Sequence, residues 1–156
     1  MDSLVLKVFE RLKAREWMIA TAESCTGGLI AASLTDVAGS SAYVDRGIVT
    51  YSNQAKIDLL NVPPAMIEDY GAVSEQVAEA MAKGALEASR ADIAVSVTGI
   101  AGPSGGSEGK PVGLVYICAA TWEKAVVTKH QFDGSRSDIR SKATMAALEQ
   151  VLEALA

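Results

Sequence analysis

Residues 17–34 read WMIATAESCTGGLIAASL, and two periodicities meet inside them. "WMIATA" is a continuous apolar run of strand length that ends at Glu23-Ser24. After the polar turn, Leu29, Ile30, Ser33, Leu34 and Val37 recur at helical spacing and stop before Gly39. The stretch is a strand, a loop and a helix in succession, so the chain is α/β.

The neighbouring segments extend this reading. Before it, Leu4, Val8 and Leu12, with Val5 and Phe9, form the apolar stripe of an opening helix that reaches about Arg15. After it, "AYVDRGIVTY" alternates like a strand and "NQAKIDLL" reads as a short helix ending before Pro63-Pro64. A further short helix covers 64–69. Ser74 is an N-cap and Glu75 suits the first turn of a helix whose face is Val77, Ala78, Met81, Ala82 and Ala85. "ADIAVSVTG" is a strand with Ile93, Val95 and Val97 on one side. "VGLVYICAAT" and "AVVTKHQF" form an antiparallel hairpin about Trp122-Glu123-Lys124. "SRSD" resembles a capping box that opens a long closing helix through Ile139, Ala143, Ala147, Leu148, Val151 and Leu155. This order predicts helices on both faces of a single mixed sheet.

The chain has 156 residues, 49% of them hydrophobic, which makes one domain able to bury about 70% of its unfolded surface. A formal net charge of -5 with no Lys/Arg block excludes general nucleic-acid binding and leaves small molecules or a second copy as partners. No leader pattern or membrane-length apolar run is present, and the two cysteines, Cys25 and Cys118, form no framework. These features predict a cytoplasmic protein. No His, Cys, Asp or Glu cluster has metal-ligand spacing, and no metal or cofactor is expected.

Ser24, Cys25 and Thr26 stand where a strand gives way to a helix, where unpaired N–H groups can stabilise an oxyanion or a phosphate. Gly27 and Gly28 would let a ligand approach. The competing reading makes Ser24 or Thr26 a helix cap and the glycines packing devices. Cys25 is the stronger nucleophile, but its base would have to be the single histidine, His130, on a strand. A serine needs a base too, and Lys56 of "TYSNQAK" could serve as a neutral amine if buried, with Tyr51 orienting it. The loop "GIAGPSGGSEGKP" (99–111) is long and Gly-rich, able to cradle an anion or merely to flex, and it is not a Walker A loop. Arg136 and Arg140 lie in the first turns of the last helix, where the dipole disfavours cations; an anionic ligand, Asp133 or Asp138 would relieve the conflict.

"TAESCTGGLIA", "VAGSSAYVDRGIVTYSNQAK", "YGAVSEQVAEAMAKGA" and "VTGIAGPSGGSEGKPVGLVY", in this order, resemble the nicotinamide-nucleotide amidohydrolase family, also called the CinA C-terminal domain family. The resemblance spans about residues 5–150. It implies a three-layer α/β/α sandwich and hydrolysis of nicotinamide mononucleotide to nicotinate mononucleotide and ammonia by a metal-free Ser-Lys mechanism. It further implies Ser24 as nucleophile, Lys56 as base, and Tyr51 and Thr98 in support. On this reading N–H groups around Cys25 to Gly27 would stabilise the oxyanion, Arg140 and the loop after Thr98 would hold the ribose phosphate, and Cys25, Thr26, Gly27, Gly28, Gly99, Ala101, Gly102, Arg136 and Arg140 together would bind the substrate. The family also implies a homo-oligomer. Many of its chains carry an N-terminal domain with a pyrophosphatase-type activity, which 156 residues leave no room for. The rival reading is a non-catalytic nucleotide-binding or partner-docking module.

Overall fold

The computed structural model describes residues 1–156. In chain order the elements are α1 (Asp2–Arg15), β1 (Ile19–Glu23), α2 (Leu29–Thr35), β2 (Val44–Val49) and α3 (Asn53–Leu60), then α4 (Pro64–Tyr70), α5 (Glu75–Glu87) and β3 (Ile93–Gly99). The hairpin β4 (Leu114–Thr121) and β5 (Ala125–Gln131) leads into α6 (Arg136–Ala154). A single 3-10 turn, Ser40–Ala42, precedes β2.

The five strands form one sheet in the order β2-β1-β3-β4-β5. β1 runs parallel to both β2 and β3, whereas β3–β4 and β4–β5 are antiparallel, so the sheet is mixed as expected. Successive side chains alternate between its faces. Ile19, Ile93, Val95, Val97, Val115 and Ile117 join a core with α1, α2 and α6. Ala22, Ala94, Cys118 and Ala120 face α5 and the end of α3. Bulky strand residues thus meet one helical layer and small ones the other, giving the three-layer α/β/α sandwich.

The small-residue face explains the alanines of α5. With Ala78, Ala82 and Ala85 fully buried, this helix lies close enough for the Ser96 hydroxyl to donate to the Ala78 carbonyl at 2.5 Å. At Gly84 the approach is closer still, since a Cβ built there would lie 2.0 Å from the Leu60 carbonyl oxygen. That contact seats the C-terminal end of α3 against α5.

Capping follows the sequence reading at two helices, and the structure adds a third at Ser52. Ser52 accepts from the Ala55 amide, Ser74 accepts from the Val77 amide, and Ser135 forms a complete capping box with Asp138. Asp138 is therefore committed to its own helix terminus. At α2 the expectation of a Ser24 or Thr26 cap is corrected: the N-cap position is Gly28, with no side-chain cap of its own. The helix also ends at Thr35, short of Gly39, with the Thr35 hydroxyl folded back onto the Ala31 carbonyl at 2.8 Å.

Candidate active site

The carboxyl ends of the three parallel strands converge on one pocket, as expected where crossovers in an open α/β sheet diverge. β1 delivers Ser24, the segment after β2 delivers Thr50 and Tyr51, and β3 ends with Thr98 and Gly99. Asn53 and Lys56 come from α3, and Arg136 from the start of α6. The pocket holds ≈ 240 Å³ and is lined by all of these groups except Thr50, together with Cys25, Ala72, Val73 and Ala101. A larger cavity of ≈ 350 Å³, between the β4–β5 hairpin and the end of α6, has only exposed Lys124 and Glu153 as ionisable lining groups and pairs no nucleophile with a base.

Lys56 is the largest fully buried side chain in the molecule, 1% exposed. Its Nζ donates to Ser24 Oγ at 2.9 Å and to the Thr50 carbonyl at 2.9 Å, with the Tyr51 carbonyl at 3.5 Å. No carboxylate lies within 4.0 Å of it. Burial without a counter-ion penalises the ammonium form and pushes the amine down from 10.5 to about 8, with the Cys25 sulfur opposing weakly. At that value an appreciable fraction is neutral near physiological pH and can accept the Ser24 proton.

Cys25 has the opposite environment for reactivity. Burial pushes its thiol up to about 11, keeping it protonated. His130, its only conceivable imidazole partner, hydrogen-bonds the Thr128 hydroxyl at 2.8 Å and stacks on Phe132, and it lines no part of the pocket. Its own basicity is lowered by partial burial.

The turn after Ser24 is built from charge. Glu23 is 0% exposed, and its two oxygens accept from the Ile30 and Ala31 amides, each at 2.9 Å, and from the Thr26 hydroxyl at 2.6 Å. This carboxylate caps α2 from the strand that precedes it, occupying the positive end of the helix that an anionic ligand would otherwise seek. Gly27 and Gly28 adopt φ of 60° and 108°, left-handed values that turn the chain sharply into α2. Within the turn the Ser24 amide donates to Val97 and the Gly27 amide to Ser24, but the Cys25 and Thr26 amides donate to nothing in the protein. The Cys25 amide, at the pocket wall beside the serine hydroxyl, is a donor of the kind an oxyanion requires, whereas Thr26 is wholly buried.

The remaining sequence candidates divide. Thr98 is 1% exposed at the pocket wall, its hydroxyl donating to the Ala72 carbonyl at 2.8 Å. Tyr51 approaches the Ser24–Lys56 pair through its backbone carbonyl, 3.5 Å from each; its exposed ring reaches away, and its hydroxyl accepts from Arg136 at 3.0 Å. Arg136 also donates to the Gly102 carbonyl at 2.8 Å, tying the 99–111 loop to α6. Gly99 and Ala101 line the pocket, but Thr26, Gly27, Gly28, Gly102 and Arg140 do not. Arg140 instead grips the turn from behind, with Nε 3.0 Å from the Cys25 carbonyl and Nη2 3.2 Å from that of Thr26. Glu23 was missed from sequence; the signal was a helix with no capping side chain and no acidic residue in its first turn. No group of three His, Cys, Asp or Glu side chains in the fold could hold a metal ion.

Comparison with known proteins places these features in context. The family model described as "CinA C-terminal domain" matches residues 1–155. The chain is 52% identical over 153 residues to "Nicotinamide-nucleotide amidohydrolase PncC" of Enterobacter agglomerans, covering 97% of this chain and 93% of that protein. It is 55% identical over 141 residues to a "CinA-like protein" of Syntrophobacter fumaroxidans, but that match covers only 33% of the longer relative and 90% of this chain. Among solved structures, the competence/damage inducible protein CihA of Agrobacterium tumefaciens superposes with a TM-score of 0.95 at 48% identity, covering 99% of this chain and 94% of that one.

Proposed function

Because the chain belongs to the CinA C-terminal domain family, and a relative of nearly equal length is named a nicotinamide-nucleotide amidohydrolase, we propose that it hydrolyses nicotinamide mononucleotide to nicotinate mononucleotide and ammonia. The observation that carries the mechanism is the buried Lys56 amine, 2.9 Å from Ser24 Oγ with no carboxylate within 4.0 Å. Neutral Lys56 takes the Ser24 proton as the hydroxyl oxygen attacks the carboxamide carbon. The carbonyl oxygen becomes an oxyanion held by the Cys25 amide at the pocket wall. Protonated Lys56 passes its proton to the departing nitrogen, ammonia leaves, and an ester to Ser24 remains. Lys56 then deprotonates a water that attacks this ester, releasing the carboxylate and restoring the hydroxyl. The Thr50 and Tyr51 carbonyls hold the amine in place throughout, and Thr98 supports the far wall.

Arg136 and the backbone of 99–102 are the groups we assign to the ribose phosphate, since Arg136 is the arginine that lines the pocket. Two further features extend the proposal. Cys25 and Cys118 are both free thiols, in keeping with a reducing cytoplasm. The outer edge of β2 is unpaired and carries Val49 44% exposed, a surface available for a homo-oligomer.

The test is ammonia release from nicotinamide mononucleotide with a chelator present. Ser24→Ala and Lys56→Ala, each shown to be folded, lose roughly 10³-fold or more of the rate, as removal of a nucleophile or its base does elsewhere. Cys25→Ala stays within a few-fold of the parent. A folded parent that binds the nucleotide without releasing ammonia makes the protein a binding module instead.

A further inference from the structure

We propose that Asn53 sets the preference for a carboxamide, its side-chain oxygen accepting a hydrogen bond from the amino group that leaves as ammonia. This role rests on the amidase reading for the identity of the leaving group.

Side chains three apart on a helix are neighbours, and both lean toward its N-terminus. Asn53 opens α3 and Lys56 follows it by three, each on the face that lines the pocket. The buried amine reaches back past the start of its own helix, since it bonds the carbonyls of Thr50 and Tyr51, which precede Asn53 in the chain. Its nitrogen and the Ser24 hydroxyl, 2.9 Å apart, therefore lie at the N-terminal mouth of α3, where Asn53 stands.

The hydrogen-bonding needs of the substrate then single this residue out. A carboxamide presents one acceptor oxygen and two N–H donors. Its oxygen turns to the Cys25 amide. Its nitrogen turns to Lys56, because the group that takes the serine proton also returns it to the leaving nitrogen. The N–H donors thus need an acceptor on the Lys56 side of the pocket. The Thr50 and Tyr51 carbonyls already accept from Lys56, and the Tyr51 hydroxyl already accepts from Arg136. Thr98 is turned to the Ala72 carbonyl, and Arg136 has donors only. Of the nitrogen- and oxygen-bearing side chains that line the pocket, Asn53 alone forms no hydrogen bond within the protein. Its amide is also the right chemical type. A carboxylate there would accept as well, but its charge would hold Lys56 protonated, whereas the uncharged oxygen leaves the base free.

Two leaving groups on one nucleotide test this. Nicotinamide mononucleotide offers N–H donors; the methyl ester of nicotinate mononucleotide offers none, and its bridging oxygen is a poor acceptor. Asn53 is exposed and alanine is the better helix former, so Asn53→Ala folds. It lowers kcat/KM about tenfold on the amide, the scale of one uncharged hydrogen bond, and leaves the ester within about twofold. An equal fall on both substrates would make Asn53 a support for Ser24 and Lys56, and no fall on either would put it outside the reaction; both overturn the proposal. Binding gives a readout without turnover. In a Ser24→Ala background the amide binds more tightly than the ester by calorimetry. Asn53→Ala abolishes that preference, and Asn53→Asp, which keeps an acceptor oxygen, retains it. A preference that survives Asn53→Ala, or that is lost in Asn53→Asp, sinks the idea. If the parent releases no ammonia, the amidase reading falls and the binding preference alone decides the role of Asn53.

Discussion

Lys56 is held where its charge is unwelcome, and that placement sets two pH dependences. The amine titrates at about 8 in the folded protein against 10.5 ordinarily. Between these values the unfolded chain binds the proton more than the native state does, so stability rises with pH across that window, by up to about 1.4 kcal/mol per pH unit. Below about pH 8 the penalty is fully present. Lys56→Met removes the titration, so its stability relative to the parent is highest at pH 7 and declines as the pH approaches 10.5; urea unfolding at the two ends reads the difference. The proposed mechanism runs the same way: with the neutral amine as base, kcat/KM is expected to rise about tenfold per pH unit toward about 8 and to level above it. A flat profile across pH 6–9 would remove Lys56 from that role.

Among the elements, α3 carries the proposed base, and its seat against α5 depends on a residue without a side chain. Helix propensity alone favours alanine over glycine by about 1 kcal/mol in the interior of α5. At Gly84, however, a Cβ would stand 2.0 Å from the Leu60 carbonyl oxygen, a backbone atom that cannot rotate away. The steric term wins, and Gly84→Ala destabilises by roughly 2 kcal/mol, the usual scale of overpacking, with a loss of activity as Leu60 and Lys56 shift; thermal unfolding and ammonia release measure both. Sequence periodicity located α3, α5, the strands and the hairpin, because their apolar spacing and proline or serine boundaries are local signals. The Ser24–Lys56 pair was legible from motif and chemistry. Glu23 was not, because a carboxylate ending a strand reads as exposed until the alternation of β1 turns it toward α2. Arg140 was legible as a cation in an unfavourable place, but its partners come from a turn 114 residues earlier and only the fold brings them together. The ring of Tyr51 illustrates the same limit, since spacing put it near Lys56 while the structure brings its carbonyl there instead.

At the scale of the whole molecule, the two halves of the proposed dyad are supported from opposite sides of the sheet. The Ser24 turn is clamped by Arg140 of α6, within the layer of α1, α2 and α6. Lys56 is seated through Leu60 on α5, within the other layer. A domain of this size unfolds as one cooperative unit when its layers share a central sheet. Ammonia release and tryptophan fluorescence are therefore expected to fall together along a urea titration; activity lost well before fluorescence would mean that one layer opens alone. The arrangement makes turnover a report on completed folding. A nascent or damaged chain that has assembled only one of its layers holds either Ser24 or Lys56 in place, and by the proposed mechanism is silent toward the nucleotide until the second layer closes.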